Sequence, residues 1–221
     1  MNIFEVVGPV MVGPSSSHTA GAVKIGSISG RLLGEPLVRA EINLHGSFLA
    51  TGDGHGTKKA LVAGLLGMQT DDIRIPQALE IAEERGIVVS FGQAILREAH
   101  PNTAQLILHG RSGQRLEIIG QSLGGSRINI ALLDGIETNF SGESPTLVVY
   151  NEDRPGHVSE VTTMLSNQNI NIASMRLYRS SRGGEAVMVV ECDQEVPESG
   201  IDWLRGFDGI RKVTYLGMTG E

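Results

Sequence analysis

The chain has 221 residues, enough for two ordinary domains with sizeable cores, and it carries a formal net charge of −7. No block of Lys and Arg offers a surface that could follow a phosphate backbone, so nucleic acid is not expected as a partner. The sequence has no apolar run near the ~20 residues that span a bilayer and no signal-peptide layout at its start, which predicts a cytoplasmic protein without membrane contact. Cys192, the single cysteine, can form no internal disulfide and is expected inside a strand.

The first distinctive stretch, residues 13–21, reads Gly-Pro-Ser-Ser-Ser-His-Thr-Ala-Gly and precedes a helix predicted over residues 20–33. Pro and Ser at a helix start place N–H groups and hydroxyls at the positive helix end, which favours carboxylates or phosphates. Capping needs one side chain, whereas this stretch offers four hydroxyls and an imidazole that titrates near neutral pH. The sequence therefore predicts an anion site with acid–base capability, in which His18 is catalytic and the anion is held by Ser15, Ser16, Ser17 and Thr19.

A second distinctive stretch is the glycine-rich turn of residues 45–57, whose glycines can adopt positive φ and present N–H groups. Thr57 is expected to cap a helix over residues 58–66. We interpret the turn as a second part of the anion site, in which His55 is catalytic and Gly56 and Thr57 bind substrate. A flexible connection is the open alternative.

The other predicted elements of the first half are one helix and several strands. The helix covers residues 76–85, and the strands cover residues 37–44, 87–91, 103–109, 116–121 and 128–132. Alternation in the first strand puts Val38, Ala40, Ile42 and Leu44 on its buried face. The last three strands are expected to form an antiparallel meander. The Gly/Ser turn at residues 120–126 either borders the anion site or is a simple hairpin turn.

Residues 138–145 are rich in turn formers and end in Pro, which predicts a boundary between a domain over residues 1–140 and another over residues 146–221. The second domain reads strand, helix, strand, strand, helix, strand, the βαββαβ order of the ferredoxin-like motif. Its predicted elements cover residues 146–150, 155–168, 171–178, 185–192, 199–206 and 210–218. An apolar stripe of Val158, Val161 and Leu165 marks the first helix. The predicted fold class is α+β, a mixed α/β domain followed by a ferredoxin-like one.

Two resemblances to known families follow from these motifs. The second domain resembles an ACT domain, with Asn151-Glu152-Asp153-Arg154-Pro155-Gly156 in the place of that family's ligand loop and Gly183-Gly184 in its hairpin. The first domain resembles the beta subunit of the iron-sulfur L-serine dehydratases. The motifs that carry this second resemblance are Gly13-Pro14-Ser15-Ser16-Ser17-His18-Thr19, Gly46-Ser47, Gly54-His55-Gly56-Thr57 and Ser122-Leu123-Gly124-Gly125. Lys58 departs from the family pattern, which commonly has Asp at that position.

The resemblance implies one half of an enzyme that converts L-serine to pyruvate and ammonia. In this family a separate alpha subunit holds a 4Fe-4S cluster, so this chain is expected to be inactive without that partner. The ACT resemblance implies an amino-acid site at Asn151, Asp153, Pro155 and Gly156 and homodimerisation through the same domain. Which amino acid binds there is left open.

Two alternatives follow from the same residues. The first is a non-catalytic sensor of amino acids and anions, because a similar fold serves as an allosteric anion-binding domain in some phosphoglycerate dehydrogenases. The second, a metal site formed by His18, His45, His55 and Asp53, is disfavoured because no pair among them has the i, i+4 spacing of a helical metal motif. The sequence therefore predicts no metal site in this chain.

Overall fold

The structure, a computed structural model, describes residues 10–218. These residues form two compact units that divide at residues 134 and 135, a few residues before the boundary predicted at 138–145. In the described part of the chain, no helix has the length and apolar character needed to cross a membrane. The short apolar stretch of residues 2–7, for which the sequence favours neither a strand nor a helical turn, lies outside the described residues.

In the described part of the first unit, a π-helix over Ser16–Gly21 continues into α1, Ala22–Leu33. The helix predicted from residue 20 therefore starts earlier than expected. Ser15 explains the early start, because its side chain caps the first turn and its carbonyl accepts from Ala20 N–H at 3.4 Å, the spacing of a π-turn. Gly34, with φ of 75°, ends α1 as expected from the sequence.

The sheet of the first unit has the strand order β2-β1-β3-β4-β5. The strands are β1 (Leu37–His45), β2 (Val88–Gln93), β3 (Asn102–Gly110), β4 (Arg115–Gly124) and β5 (Arg127–Leu133). β1 pairs in parallel with β2, and the pairs from β1 through β5 are antiparallel, which confirms the predicted meander. Ala40, Ile42 and Leu44 are buried as predicted, while Val38 is half-buried. The edge position of β2 leaves Val88 exposed.

Three further helices belong to this unit: α2 (Gly46–Thr51), α3 (Thr57–Leu65) and α4 (Ala78–Glu84), the last after a 3-10 turn at Ile75–Gln77. The sequence did not predict α2. The prediction that Thr57 caps α3 is wrong, because Gly56 is the N-cap with φ of 70° and no side chain caps the helix. Only glycine adopts that conformation at little cost, so the backbone can turn there without a side-chain cap.

Helices α1 and α3 pack with their backbones in close contact. A Cβ atom at Gly26 would overlap the carbonyl oxygen of Leu61, and one at Gly64 would overlap that of Val23. The lack of a side chain at these two glycines thus lets the two helix backbones approach each other. The contact places the π-helix at the start of α1 beside Thr57 at the start of α3.

The second unit contains a strand that the sequence did not predict, β6 (Ile136–Phe140), followed by the βαββαβ order. The elements are β7 (Thr146–Glu152), α5 (His157–Asn167), β8 (Ile172–Arg179), β9 (Glu185–Cys192), α6 (Glu198–Arg205) and β10 (Ile210–Leu216). Their sheet is antiparallel with the order β10-β7-β9-β8. Val161 and Leu165 face the core as predicted, but Val158 is 42% exposed and Met164 takes the inner position. The fold is therefore of the mixed α and β kind that the sequence predicts.

Candidate functional site

In the Ser-rich turn, residues 13–21, two of the four hydroxyls form hydrogen bonds with backbone groups. Ser15 Oγ accepts from the His18 N–H at 3.1 Å, so the first serine of the run is the cap of the π-helix. Thr19 is buried, and its hydroxyl donates to the His55 carbonyl at 3.2 Å. These two hydroxyls, both predicted to hold an anion, connect the turn to itself and to the glycine-rich turn.

Ser16 and Ser17 occupy the first two positions of the π-helix and are half-buried. Within residues 10–218 their hydroxyls have no hydrogen-bond partner, and the Ser17 carbonyl accepts from Ser122 Oγ at 3.0 Å. Ser122 lies in the Gly/Ser turn of residues 120–126. This turn therefore borders the Ser-rich turn, which is one of the two interpretations that the sequence left open. The two free hydroxyls are the members of the predicted anion site that a ligand can use.

His18 is almost fully buried, with 8% of its surface exposed. Its Nδ1 lies 3.4 Å from Thr57 Oγ1 and its Nε2 lies 3.3 Å from Ser47 Oγ. Phe48, fully buried, stands edge-on to the ring with the centroids 5.1 Å apart. Both ring nitrogens therefore have a hydroxyl partner, at the long distances usual for sites without a bound ligand.

Burial lowers the pKa of His18 below its usual value, because the charged form loses hydration. The nearby His55 lowers this pKa further by like-charge repulsion, whereas a hydrogen bond with the Asn102 side chain partly opposes both effects. The net effect favours the neutral His18 imidazole over its charged form.

His55 stands beside His18, with ring centroids 4.9 Å apart. Its Nδ1 lies 3.0 Å from the Thr51 carbonyl, which can only accept, so Nδ1 carries the proton and Nε2 carries the lone pair. Among the described residues, Nε2 has no hydrogen-bond partner. The ring is half-buried, and its lone pair is free for an incoming proton.

Gly56 and Thr57 complete the list of substrate residues predicted in this unit. Gly56 is half-buried and turns the chain into α3. Thr57 is fully buried against His18 and reaches no open surface. Lys58, the departure from the family pattern, pairs with Asp53 at 2.8 Å and lies over the Phe91 ring.

Three site residues were missed by the sequence interpretation: Ser47, Thr51 and Asn102. Ser47 and Thr51 lie on α2, and their hydroxyl oxygens are 3.4 Å apart. Asn102 starts β3 directly after Pro101, whose carbonyl accepts from Ser47 N–H at 2.8 Å. Only Ser47 left a signal in the sequence, because the Gly46-Ser47 pair belongs to a family motif. Thr51 is placed by α2, which the sequence did not predict. Asn102 is placed by its pairing with Gly46, far away in the chain.

The predicted ligand loop of the second unit follows β7. Asn151 is 3% exposed; its Nδ2 donates to the Glu152 carbonyl at 2.7 Å, and its Oδ1 has no partner among the described residues. Asp153 accepts from Gly183 N–H at 2.9 Å and from Arg179 at 3.1 Å, and these contacts lower the pKa of its carboxyl. Pro155 is exposed, and Gly156 starts α5 with φ of 115°. The loop is thus tied to the β8–β9 hairpin, with one buried acceptor left over.

The residues that the structure describes do not fit an iron-sulfur cluster. Within residues 10–218, no three His, Cys, Asp or Glu side chains form a group that could bind a metal ion. Cys192 is buried, and burial raises the pKa of its thiol to about 11, whereas a cluster ligand is a thiolate. His45, considered as a ligand from the sequence, uses Nδ1 for a contact with the Ala94 carbonyl at 3.1 Å.

The fold and the site together define a two-unit protein of mixed α and β structure. In its first unit, two neighbouring histidines lie at a helix start that is rich in hydroxyl groups. The family model described as "Serine dehydratase beta chain" matches residues 2–187. The chain belongs to this family.

Individual relatives agree with the family match. A Bacillus subtilis protein named "Probable L-serine dehydratase, beta chain" is 39% identical over 97% of both chains. The "L-serine dehydratase, beta chain" of Peptoniphilus asaccharolyticus is 37% identical over 96% of both chains. The D-3-phosphoglycerate dehydrogenase of Methanocaldococcus jannaschii is 29% identical over 73% of this chain and 30% of its own length. The resemblance seen in the sequence to serine dehydratase beta subunits is thereby confirmed.

Proposed function

We propose that this chain is the beta subunit of a cytoplasmic L-serine dehydratase that converts L-serine to pyruvate and ammonia together with an alpha subunit. The observation that carries the proposal is the pair of imidazoles whose centroids are 4.9 Å apart, one buried and neutral and the other with a free lone pair. Elimination of water from serine needs a base for the α-proton and a site for the carboxylate. The imidazoles of the two turns can supply the base, and the hydroxyls of the Ser-rich turn can supply the carboxylate site.

His55 is the proton acceptor in this proposal. Its Nδ1 proton is engaged by the Thr51 carbonyl, so Nε2 is the nitrogen that can take a proton from the substrate. His18 remains neutral beside it, because burial and repulsion from His55 both disfavour a second charge. The sequence predicted that both His18 and His55 are catalytic, whereas this proposal assigns the proton transfer to His55.

The carboxylate is assigned to the start of the π-helix. The hydroxyls of Ser16 and Ser17 are free among the described residues, and the positive end of the helix favours an anion there. Ser47, half-buried next to His18, can add a further donor. The side chains of Ser15, Thr19 and Thr57 do not bind the carboxylate in this proposal. They stabilise the two turns through the contacts described above.

The cluster belongs to the alpha subunit in this proposal, since no cysteine or metal group of the described chain could hold it. Such a cluster supplies a Lewis acid for the departing hydroxyl. The contribution of this chain is to bind the substrate, orient it and accept its proton.

Reconstitution tests the proposal. The chain is co-expressed with a candidate alpha subunit under anaerobic conditions, and pyruvate formation from L-serine and D-serine is measured with iron content. We expect activity with L-serine in the complex and none from the isolated chain, which should be colourless because one cysteine cannot ligate a cluster. Turnover by the isolated chain without added metal, or an inactive complex with a full cluster, would contradict the proposal.

A regulatory function is the second candidate. The similarity to D-3-phosphoglycerate dehydrogenases supports this candidate. The alignment covers 73% of this chain and 30% of the Methanocaldococcus jannaschii enzyme, and 88% of this chain and 37% of the Archaeoglobus fulgidus enzyme. A sensor would bind small anions without turnover in any complex. The reconstitution experiment separates the two functions.

We further propose that the second unit is an ACT domain that binds an amino acid near Asn151 and dimerises. The βαββαβ order and the sheet order β10-β7-β9-β8 support the proposal, as does the buried and unpaired Oδ1 of Asn151. A buried acceptor without a donor is costly, and a ligand ammonium or N–H would satisfy it.

Calorimetric titration of the full chain with amino acids tests the ligand site. For the amino acid that binds, we expect Asn151→Ala to weaken binding roughly 5–30-fold, while the exposed Asn167→Ala on α5 binds normally. Sedimentation with and without that ligand should show a dimer. A chain that stays monomeric and binds no amino acid would refute this assignment.

A further inference from the structure

We infer that Thr57 is a positioning residue whose hydroxyl fixes His18 in the Nε2–H tautomer, so that His18 acts as a hydrogen-bond donor toward the ligand. For its kinetic consequence the inference rests on the proposed function, but the tautomer is a property of this chain alone. The role differs from the direct substrate contact expected for Thr57 from the sequence.

The burial of Thr57 decides what its hydroxyl can contact. The residue is 0% exposed, and among the described residues its hydroxyl has one hydrogen-bond partner, His18 Nδ1 at 3.4 Å. A hydroxyl has one proton to donate, and a buried donor without an acceptor is unfavourable. Donation from Thr57 to Nδ1 satisfies that proton. Nδ1 must then be unprotonated, which places the imidazole proton on Nε2.

The hydroxyls on the other side of the ring fit the same assignment. Ser47 Oγ lies 3.3 Å from His18 Nε2 and 3.4 Å from Thr51 Oγ1, while Thr51 Oγ1 donates to the Ser47 carbonyl at 3.0 Å. Because the one hydroxyl proton of Thr51 is used on that carbonyl, Ser47 donates to Thr51 and accepts from Nε2–H. The hydroxyl protons of Thr57, Ser47 and Thr51 and the Nε2–H of His18 then each have an acceptor. The opposite tautomer leaves the Thr57 proton without an acceptor among the described residues.

This series of donors leads from the interior to the surface. Thr57 is fully buried, His18 is 8% exposed, Ser47 is half-buried and Thr51 is exposed. A ligand therefore approaches at Ser47. Its carboxylate accepts hydrogen bonds more strongly than the Thr51 hydroxyl does, so it attracts both the Ser47 hydroxyl and the Nε2–H of His18.

The tautomer can be measured on the full chain labelled with 15N-histidine, by a long-range 1H–15N correlation that separates protonated from unprotonated ring nitrogens. We expect the His18 signals, assigned by their loss in His18→Gln, to show a protonated Nε2 in the wild type and in Thr57→Ser. Thr57→Val removes the hydroxyl and should give mixed tautomers. Thr146→Val, which removes an equally buried hydroxyl bonded to the Ser144 carbonyl, should leave the His18 signals unchanged.

In the complex with the alpha subunit, Thr57→Val should lower kcat/KM for L-serine roughly 5–30-fold, and Thr57→Ser should restore it. A protonated Nδ1 in the wild type, or wild-type signals in Thr57→Val, would overturn the inference. Unchanged kinetics despite an altered tautomer would overturn the donor role of His18. A complex without serine turnover would count against the proposed function instead, because the tautomer is measured on this chain alone.

Discussion

In the reconstituted complex, His55→Asn is expected to lower kcat by roughly 10²–10⁴ with little change in substrate binding. The asparagine amide can still donate to the Thr51 carbonyl, which His55 Nδ1 contacts at 3.0 Å, so the turn keeps its internal hydrogen bond. The substitution removes the Nε2 lone pair, which we assign as the proton acceptor. Steady-state kcat and KM for L-serine, measured at matched cluster content, give the result.

His18→Gln is the matched comparison, because a glutamine amide can place an N–H near the position of Nε2. If His18 is a donor, this variant should retain much more kcat than His55→Asn, and its defect should appear mainly in KM. A loss of kcat in His18→Gln as large as that in His55→Asn would reverse the assignment of the two roles. Near-normal kcat in both variants would remove both imidazoles from catalysis and favour a regulatory chain.

Alanine at Gly26 or Gly64 is expected to destabilise the first unit by about 1–3 kcal/mol or more, because an added Cβ would overlap the backbone of the facing helix. The two helices carry the site, since α1 follows the π-helix of His18 and α3 begins at Thr57. Separating them lengthens the 3.4 Å contact between His18 Nδ1 and Thr57 Oγ1, so activity should fall as well. Thermal unfolding of the isolated chain measures the stability.

Gly30→Ala provides the control within α1. A Cβ there would lie 3.3 Å from the Leu65 carbonyl oxygen, so a shift of a few tenths of an ångström relieves the contact, and alanine has the better helix propensity. Its unfolding midpoint should therefore stay near that of the wild type. Midpoints for Gly26→Ala and Gly64→Ala equal to that of Gly30→Ala would show that the helices are not in backbone contact.

The periodic elements could be read from the sequence because local chemistry specifies them. The strand Glu185–Cys192 has the predicted bounds, and Gly34 ends α1 as the αL preference of glycine requires. The elements that were missed, α2 and β6, are short and flanked by turn formers, so their own periodicity is too brief to detect. The position of α2 also depends on a distant segment, because the Ser47 N–H bonds to the Pro101 carbonyl.

By itself the sequence determined the α+β class, the βαββαβ order of the second unit and the two turns that bear His18 and His55. Residue type and spacing are enough for this, because helix starts, glycine turns and strand alternation are local. The tertiary structure alone decided which hydroxyls serve a ligand and which serve the protein, since that depends on burial: Thr57 is closed off against His18, whereas Ser16 and Ser17 remain free among the described residues. It also decided the protonation of the His18 ring, because the nitrogen that carries the proton is set by Thr57, 39 residues further along the chain.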